Sequence, residues 1–318
     1  MTHITRRAVL GAAVGTAASG LAPRTVFANP TSYELKPFSV ADGIWMIEGS
    51  RDYFSRENGG AIVNCALIDT DIGILIVDSG PSKKYGEALL DVARGLNGRG
   101  AAGVMITHHH PDHFLGNQVF ADNLIYALPE TRALAASEGD GFADNMYRLL
   151  GDWMRGTEPL PPNKDITSSF LTIGGRKLKT LPLAGHTGAD LAILDEKTGT
   201  LIAGDLAFLD RAPTTPHADL AMWRDALTDM SQQQSSSIIP GHGPIDRTGT
   251  SLTQTRAYLD WLEATLKRSA GEGLDMVEIM DLPIPEEFSG MGSMPQEFYR
   301  SVAHLYPDIE RTVMPLSQ

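Results

Sequence analysis

The chain has 318 residues, of which 42% are apolar, 20% charged and 7% aromatic. That length suits one large domain or two small ones, and the composition excludes an intrinsically disordered protein. The formal net charge of −13 disfavours nucleic acids and anionic membranes as partners, so we expect a small-molecule substrate. Cys65 is the single cysteine, and the chain therefore cannot form an intramolecular disulfide.

Residues 1–28 have the pattern of an export signal. Paired arginines, Arg6 and Arg7, precede an uncharged run of small residues that ends at the cleavage-like sequence "VFA". This pattern resembles a twin-arginine signal, which exports folded proteins, and it predicts a periplasmic location. The run is too short and too rich in alanine and glycine to span a bilayer, so no membrane insertion is expected once the signal is removed. We expect residues 29–318 to form a single domain with 23 basic and 39 acidic residues, a net charge of −16.

The first half of this domain begins with strands. Three runs rich in isoleucine and valine, at 43–49, 60–70 and 73–80, predict strands. Residues 83–95 change to helical spacing, and residues 103–107 read as a short buried strand. That strand leads directly into a cluster of histidines.

The second half repeats this order. Strand-like segments surround a hairpin with "EKTG" at its turn, and residues 219–230 predict an amphipathic helix with an aspartate cap. Residues 251–310 predict C-terminal helices. Between the halves, residues 131–164 mix helical pieces with a proline-rich run, either as an insertion near the site or as a solvated excursion. Two sets of strands followed by helices predict an α/β (α+β) fold, a four-layer αβ/βα sandwich.

The stretch "THHHPDHFLGN" contains the first candidate metal ligands. Alternate residues of an extended segment point the same way, so His108 and His110 can converge on one ion while His109 points elsewhere. The following proline can start a helical turn that brings Asp112 and His113 to a neighbouring position. One loop therefore offers ligands aimed at two places a few ångströms apart.

Further ligands are needed, because catalytic zinc takes about three protein ligands and a water. Three candidates stand at the ends of strand-like segments, each beside a glycine that permits close approach to a metal: His186, Asp205 and His242. The seven candidates offer only nitrogen and oxygen donors. Such a set suits two divalent ions, with zinc favoured and iron or manganese as alternatives.

The order of these motifs resembles the metallo-β-lactamase-fold hydrolase superfamily. "DSG", "THHHPDH", "GHT", "GD" and "PGHG" follow one another across residues 40–245. The resemblance implies the four-layer sandwich of that superfamily and a binuclear metal centre. It assigns the first metal to His108, His110 and His186, the second to Asp112, His113 and His242, and a bridging role to Asp205.

Asp205 restricts which branch of the superfamily the chain resembles, because true β-lactamases of this superfamily carry cysteine or serine at that position. The aspartate resembles the glyoxalase II and general hydrolase branches. Together with the signal segment and the long C-terminal helix, the chain resembles exported zinc metallohydrolases of quinoprotein-relay and sulfur-oxidation systems, the SoxH type. We therefore expect an exported hydrolase of an ester or thioester, with β-lactam hydrolysis disfavoured.

Charge dictates the expected mechanism. Two divalent ions lower the pKa of a water held between them, which supplies a bridging hydroxide as nucleophile at neutral pH. Asp112 is the expected catalytic residue, because one oxygen can bind a metal while the other orients the hydroxide. Asp78, in "VDSG", is expected to be a structural partner of the metal loop.

Three residues are candidate substrate contacts. Tyr53 lies in a flap-like segment at 50–59, and Arg211 and His217 lie in the loop after Asp205. That loop could equally be a proline-stiffened surface connection.

Other function classes have weaker support. The chain lacks a G-x-S-x-G nucleophile elbow and a phosphate-binding glycine loop. A nuclease with the same ligands conflicts with the acidic charge. A non-catalytic metal-binding accessory or chaperone protein for a periplasmic oxidation system stays open as the alternative.

Overall fold

The structure is a computed structural model that describes residues 32–313. The predicted signal segment, residues 1–28, and the proposed domain start at residue 29 lie outside the described residues. Among the helices of residues 32–313, none combines the length and the apolar character that a membrane span requires.

Within residues 32–313, twelve strands form two sheets. The first sheet has seven strands in chain order: β1 (Phe38–Ala41), β2 (Ile44–Ile47), β3 (Cys65–Thr70), β4 (Gly73–Val77), β5 (Ala101–Met105), β6 (Ile125–Ala127) and β7 (Lys164–Asp165). Its first four strands pair antiparallel, and β4 to β7 pair parallel.

The second sheet has five strands in the order β12-β11-β10-β9-β8. Their bounds are β8 (Phe170–Ile173), β9 (Arg176–Leu183), β10 (Asp190–Asp195), β11 (Thr200–Phe208) and β12 (Ser237–His242). Neighbouring strands are antiparallel except β11 and β12, which are parallel.

Eight α-helices complete the described part of the chain: α1 (Lys83–Asn97), α2 (Pro111–Phe114), α3 (Pro129–Leu150), α4 (Leu220–Ser231), α5 (Thr250–Glu272), α6 (Met276–Met280), α7 (Glu286–Ser289) and α8 (Gln296–Val313). Side-chain caps start three of them, and at α6 Asp275 accepts bonds from the backbone of Val277 and Glu278. Ser82 accepts a hydrogen bond from the backbone of Tyr85, and Asp219 accepts bonds from the first turn of α4.

Successive side chains of a strand point to opposite faces of the sheet, and this alternation produces the apolar layers on both faces. In β4, Leu75 and Val77 pack between the two sheets, whereas Ile74 and Ile76 pack outward against α1 and α3. In the second sheet, Ala192 faces outward, toward α4, α5 and α8. Three apolar layers thus separate helices, sheet, sheet and helices, which is the predicted αβ/βα sandwich.

The segment at 131–164 has a definite place in this architecture. Most of it is α3, whose Ala135, Met146 and Leu150 are buried in the apolar layer outside the first sheet. The Thr131 hydroxyl also donates a hydrogen bond to the carbonyl of Ala189, next to the second sheet. This helix therefore covers the sheet and is not a solvated excursion.

Several boundaries differ from the predictions. The run at 60–70 becomes a strand only from Cys65, because Asn64 leaves the ladder and its amide donates to the carbonyls of Pro240 and Gly243. The short strands β1, β6 and β7 were not predicted, since none of them lies in a run rich in isoleucine and valine.

Truncation of Leu75 tests the layer between the sheets. Its side chain is fully buried there, so Leu75→Ala should lower the free energy of unfolding by about 2–5 kcal/mol. Urea unfolding measures the change, with Leu124→Ala, a half-exposed leucine, as control within about 0.5 kcal/mol of the parent. Equal effects of the two substitutions would contradict this packing.

Candidate metal centre

Seven histidine and aspartate side chains meet where strands of the two sheets end. The segment after β5, including α2, carries four of them, the loop after β9 carries one, and β11 and β12 carry one each. All seven are buried, and the most exposed is His110 at 7%. The structure brings together every metal ligand predicted from the sequence: His108, His110, Asp112, His113, His186, Asp205 and His242.

The first group consists of three histidines and one carboxylate oxygen. Nε2 of His186 lies 2.9 Å from Nδ1 of His110 and 3.3 Å from Oδ2 of Asp205. Nε2 of His108 lies 4.0 Å from the same carboxylate oxygen. The four donor atoms therefore surround one small space.

The second group uses the other oxygen of Asp205. Oδ1 lies 3.2 Å from Nε2 of His113 and 3.3 Å from Nε2 of His242. Oδ2 of Asp112 completes the group at 3.4 Å from His242 and 3.6 Å from His113. Asp205 thus faces both groups, which is the arrangement that the resemblance implies.

These side chains fit divalent ions. Ligand atoms about 2.0–2.1 Å from a tetrahedral zinc lie about 3.3–3.4 Å from one another, and most separations in both groups are close to that value. Four buried donor atoms also have no hydrogen-bond partner anywhere in residues 32–313: Nε2 of His108, Oδ2 of Asp112, Nε2 of His113 and Oδ1 of Asp205. Each belongs to one of the two groups, and metal ions bound at both groups would satisfy all four.

Glycines allow β11 and β12 to pack closely together beside Asp205. A Cβ atom on Gly241 would lie 2.0 Å from Oδ1 of Asp205, so the residue before His242 must be glycine. Gly204, which precedes Asp205, has φ of +52°, a left-handed conformation that glycine adopts without strain. Both positions therefore require glycine for the strands to pack as they do, and the predicted close approach to a metal stays a prediction.

Asp78 holds the metal loop in place, as expected. Its Oδ1 accepts the backbone N–H of Thr107 at 2.8 Å, and its Oδ2 accepts from the Thr107 hydroxyl at 2.9 Å and from Nδ1 of His113 at 2.8 Å. With its proton on Nδ1, His113 turns the lone pair of Nε2 toward the centre. The carbonyl of Ile62, 2.7 Å from Nδ1 of His242, fixes that ring in the same way.

His110 has the opposite arrangement. Its Nδ1 faces His186, whereas its Nε2 lies 2.8 Å from Nδ1 of His217. A proton on Nε2 of His110, donated to His217, leaves Nδ1 free as a ligand. His217 therefore positions a metal ligand, a role that the sequence analysis did not assign to it.

Burial keeps the histidines of the first group neutral. Loss of hydration lowers the pKa of His186 to about 3 and holds the pKa values of His108 and His110 well below their usual range. Neutral imidazoles have the lone pairs that metal binding requires.

His113 is the exception in the second group. Burial lowers its pKa, but the nearby carboxylates of Asp205, Asp78 and Asp112 outweigh burial and raise the pKa well above its usual range. The three carboxylates concentrate negative charge at this point. A divalent cation is the natural counterion for such a cluster.

The family of the chain follows from comparison with known proteins. A family model described as the metallo-beta-lactamase superfamily matches residues 58–242, a segment that contains all seven ligands. The chain belongs to the metallo-beta-lactamase superfamily. Candidate metal-binding residues are in place within the matched segment.

Individual relatives support the same assignment. The uncharacterized protein YobT of Bacillus subtilis (strain 168) is 30% identical over 45% of this chain and 61% of its own length. The linear primary-alkylsulfatase of Pseudomonas sp. (strain ATCC 19151) is 21% identical over 75% of this chain and 53% of its own length. The chain thus spans between half and two thirds of these curated relatives.

A solved structure shows the fold. A metallo-beta-lactamase from Pontibacter korlensis superimposes with a TM-score of 0.59 at 20% identity, over 71% of this chain and 99% of that one. The predicted four-layer fold of the superfamily is confirmed.

A cavity opens beside the candidate metal centre, with Asp112, Asp205 and His242 in its wall. The three predicted substrate contacts, Tyr53, Arg211 and His217, also line the cavity. The loop after Asp205 therefore borders the site and is not a remote surface connection.

Arg211 differs from the prediction in one respect. Its side chain is only 1% exposed, and its Nη2 faces Glu297 at 3.5 Å, so the guanidinium is part of the wall. Sequence reasoning missed Glu297 and Arg300, which α8 contributes to the cavity, and Phe142, which α3 contributes. An acidic and a basic residue three positions apart on a helix commonly form a surface ion pair. The sequence therefore did not indicate that Glu297 and Arg300 line the cavity.

His109 points away from both groups, as predicted. Its Nε2 lies 3.4 Å from Oε2 of Glu138 on α3. The ring is nevertheless buried beside His110, which keeps the loop packed against that helix.

Metal analysis of single variants tests the two groups. We expect His186→Ala and His242→Ala each to retain about one ion per chain and Asp205→Asn to bind both weakly, because its carboxylate faces both groups. Inductively coupled plasma mass spectrometry after dialysis measures the content. His304→Ala, an exposed histidine of α8, is the control and should match the parent. Full metal content in Asp205→Asn would contradict a shared ligand.

His217 gives a second test. His217→Ala removes the acceptor for Nε2 of His110, and loss of such a partner weakens metal binding by about 10- to 100-fold. Chelator competition measures the affinity, and His217→Asn, which keeps an acceptor, should recover part of it. An unchanged affinity in His217→Ala would show that His110 needs no partner.

Proposed function

We propose that the protein is an exported zinc hydrolase that binds two divalent ions in this centre and cleaves an ester or thioester of a small molecule. One observation supports this proposal most directly. The carboxylate of Asp205 faces three imidazoles through one oxygen and two imidazoles with Asp112 through the other. That is a complete donor set for a binuclear centre without a thiolate ligand.

When bound, the two ions would lower the pKa of a water to near neutrality and polarise the carbonyl under attack. Asp112 orients the attacking water. Its Oδ2 lies between His113 and His242, and its side chain lines the cavity, so the other oxygen is available to accept a hydrogen bond from that water. Pro111, at the start of α2, fixes the backbone that presents this carboxylate.

Zinc is the metal we propose, with iron and manganese as the alternatives that the same donors allow. Neutral imidazoles and carboxylates bind all three metals. Metal analysis of the protein as isolated decides among them.

Sulfate-ester hydrolysis is a second candidate. It is favoured by the likeness to the linear primary-alkylsulfatase, which extends over 75% of this chain. Lactam hydrolysis has less support, because Asp205 stands where β-lactamases of the superfamily carry cysteine or serine.

We further propose that residues 1–28 direct the protein to the periplasm, where it would serve a quinoprotein-linked or sulfur-oxidation pathway. The net charge of −16 without that segment supports a small-molecule partner over nucleic acid. A non-catalytic accessory role is the competing proposal, and turnover of a defined substrate would exclude it.

A substrate panel with one variant tests the proposal. We expect the metal-loaded protein to hydrolyse a p-nitrophenyl ester or an acyl thioester faster than an alkyl sulfate and a chromogenic cephalosporin. Asp112→Asn should lower kcat by about 10²- to 10⁴-fold, because it loses a positioned proton acceptor. Absorbance assays on variants of verified metal content measure the rates.

Asp229→Asn, an exposed aspartate of α4, is the matched control and should keep the parental rate. Faster turnover of the alkyl sulfate would favour the second candidate. Full activity in metal-loaded Asp112→Asn would contradict the role of that carboxylate, and no turnover of any substrate would favour the accessory role.

A further inference from the structure

A buried glutamate on α8 organises one wall of the cavity. Glu297 lies in the first turn of that helix, and its side chain has no solvent exposure. Its Oε1 accepts from the hydroxyl of Thr214 at 2.9 Å, and both its oxygens accept from Nη1 of Arg300 at 3.1 Å. Arg211 faces the same carboxylate at 3.5 Å.

This wall carries a surplus of positive charge. Two guanidinium groups share one carboxylate, which leaves a net charge of +1. Nε of Arg211 is buried without a hydrogen-bond partner among the described residues. Of the Arg300 nitrogens, only Nη1 makes a hydrogen bond within residues 32–313.

Arg300 is placed to use its remaining donors. Its side chain is one-third exposed and lines the cavity that also contains Asp112 and Asp205. The guanidinium lies over the ring of Tyr53, with 5.4 Å between its central carbon and the ring centre. A cation–π contact of this kind and the bonds to Glu297 hold the guanidinium in one position.

A purely structural role does not account for both arginines. A buried glutamate needs one cationic partner, and here it has two, since Arg300 hydrogen-bonds to both its oxygens and Arg211 lies 3.5 Å away. The second arginine adds charge that nothing else in the described wall balances. Unused guanidinium donors in a fixed position are the usual means of binding a carboxylate or another oxyanion.

We propose that Arg300, with Tyr53 beneath it and Arg211 behind Glu297, forms an anion-binding subsite that selects substrates bearing a carboxylate or sulfonate away from the bond that is cleaved. This inference rests on the proposed hydrolase function and names its substrate class. The anion would fill the donors that Arg300 leaves unused, while the scissile bond lies at the metal centre.

Paired substrates test the subsite. The mono-p-nitrophenyl ester of adipic acid and p-nitrophenyl hexanoate share a leaving group and a chain length, but only the first bears a carboxylate. We expect kcat/KM of the metal-loaded protein to be at least 10-fold higher for the adipate ester. The p-nitrophenyl ester of 5-sulfopentanoic acid is the third arm, and its rate shows whether the subsite prefers carboxylate or sulfonate.

Arg300→Gln should reduce the ratio of the anionic to the neutral rate by about 10- to 100-fold, the loss expected for charged hydrogen bonds. Arg300→Lys keeps a charge near Glu297 and should recover part of the ratio. Arg268→Gln, which removes an exposed arginine of α5, is the matched control. Thermal unfolding confirms that each variant is folded.

Direct binding separates this inference from the function on which it rests. Isothermal titration with adipate should give a dissociation constant at least 10-fold weaker for Arg300→Gln than for the parent. If no ester is hydrolysed, the hydrolase proposal fails while this titration still decides on the subsite. Hydrolysis of all three esters at equal rates, or adipate binding that Arg300→Gln does not weaken, would overturn the subsite.

Discussion

One shared carboxylate determines the arrangement of the functional site. Asp205 is buried where the two sheets end, and its two oxygens face different groups of imidazoles. A buried carboxylate is costly unless charges or hydrogen-bond donors surround it. Histidines from the segment after β5, the loop after β9 and the end of β12 satisfy that requirement together. The carboxylate therefore ties loops from both sheets to one point, and the cavity forms beside it.

The sequence indicated which side chains meet here because local rules govern parts of this arrangement. Alternation in an extended segment turns His108 and His110 to one side, and a helical turn begun by proline presents Asp112 and His113. The order of motifs, through the resemblance to a known superfamily, linked these residues to the three ligands that come later in the chain. Spacing alone could not show which distant loops meet.

Tertiary packing hides the rest of the site from the sequence. Glu297 and Arg300 are separated by three positions, as in many exposed ion pairs, and become cavity residues only because α8 packs over the second sheet. Likewise, the sequence did not indicate that His217, a predicted substrate contact that lines the cavity, also lies with its Nδ1 2.8 Å from Nε2 of His110. The strands β1, β6 and β7 escaped prediction for a simpler reason, since none of them lies in a run rich in isoleucine and valine.

The position of α8 in the chain has an evolutionary consequence. The segment matched by the superfamily model ends at residue 242, whereas Arg300, one of the two cationic residues of the cavity wall, lies on α8. The candidate metal ligands and Arg300 thus lie in different stretches of the polypeptide. Substitutions confined to the last helices would therefore alter the proposed anion-binding wall and leave the candidate metal ligands in place, so the two can change separately.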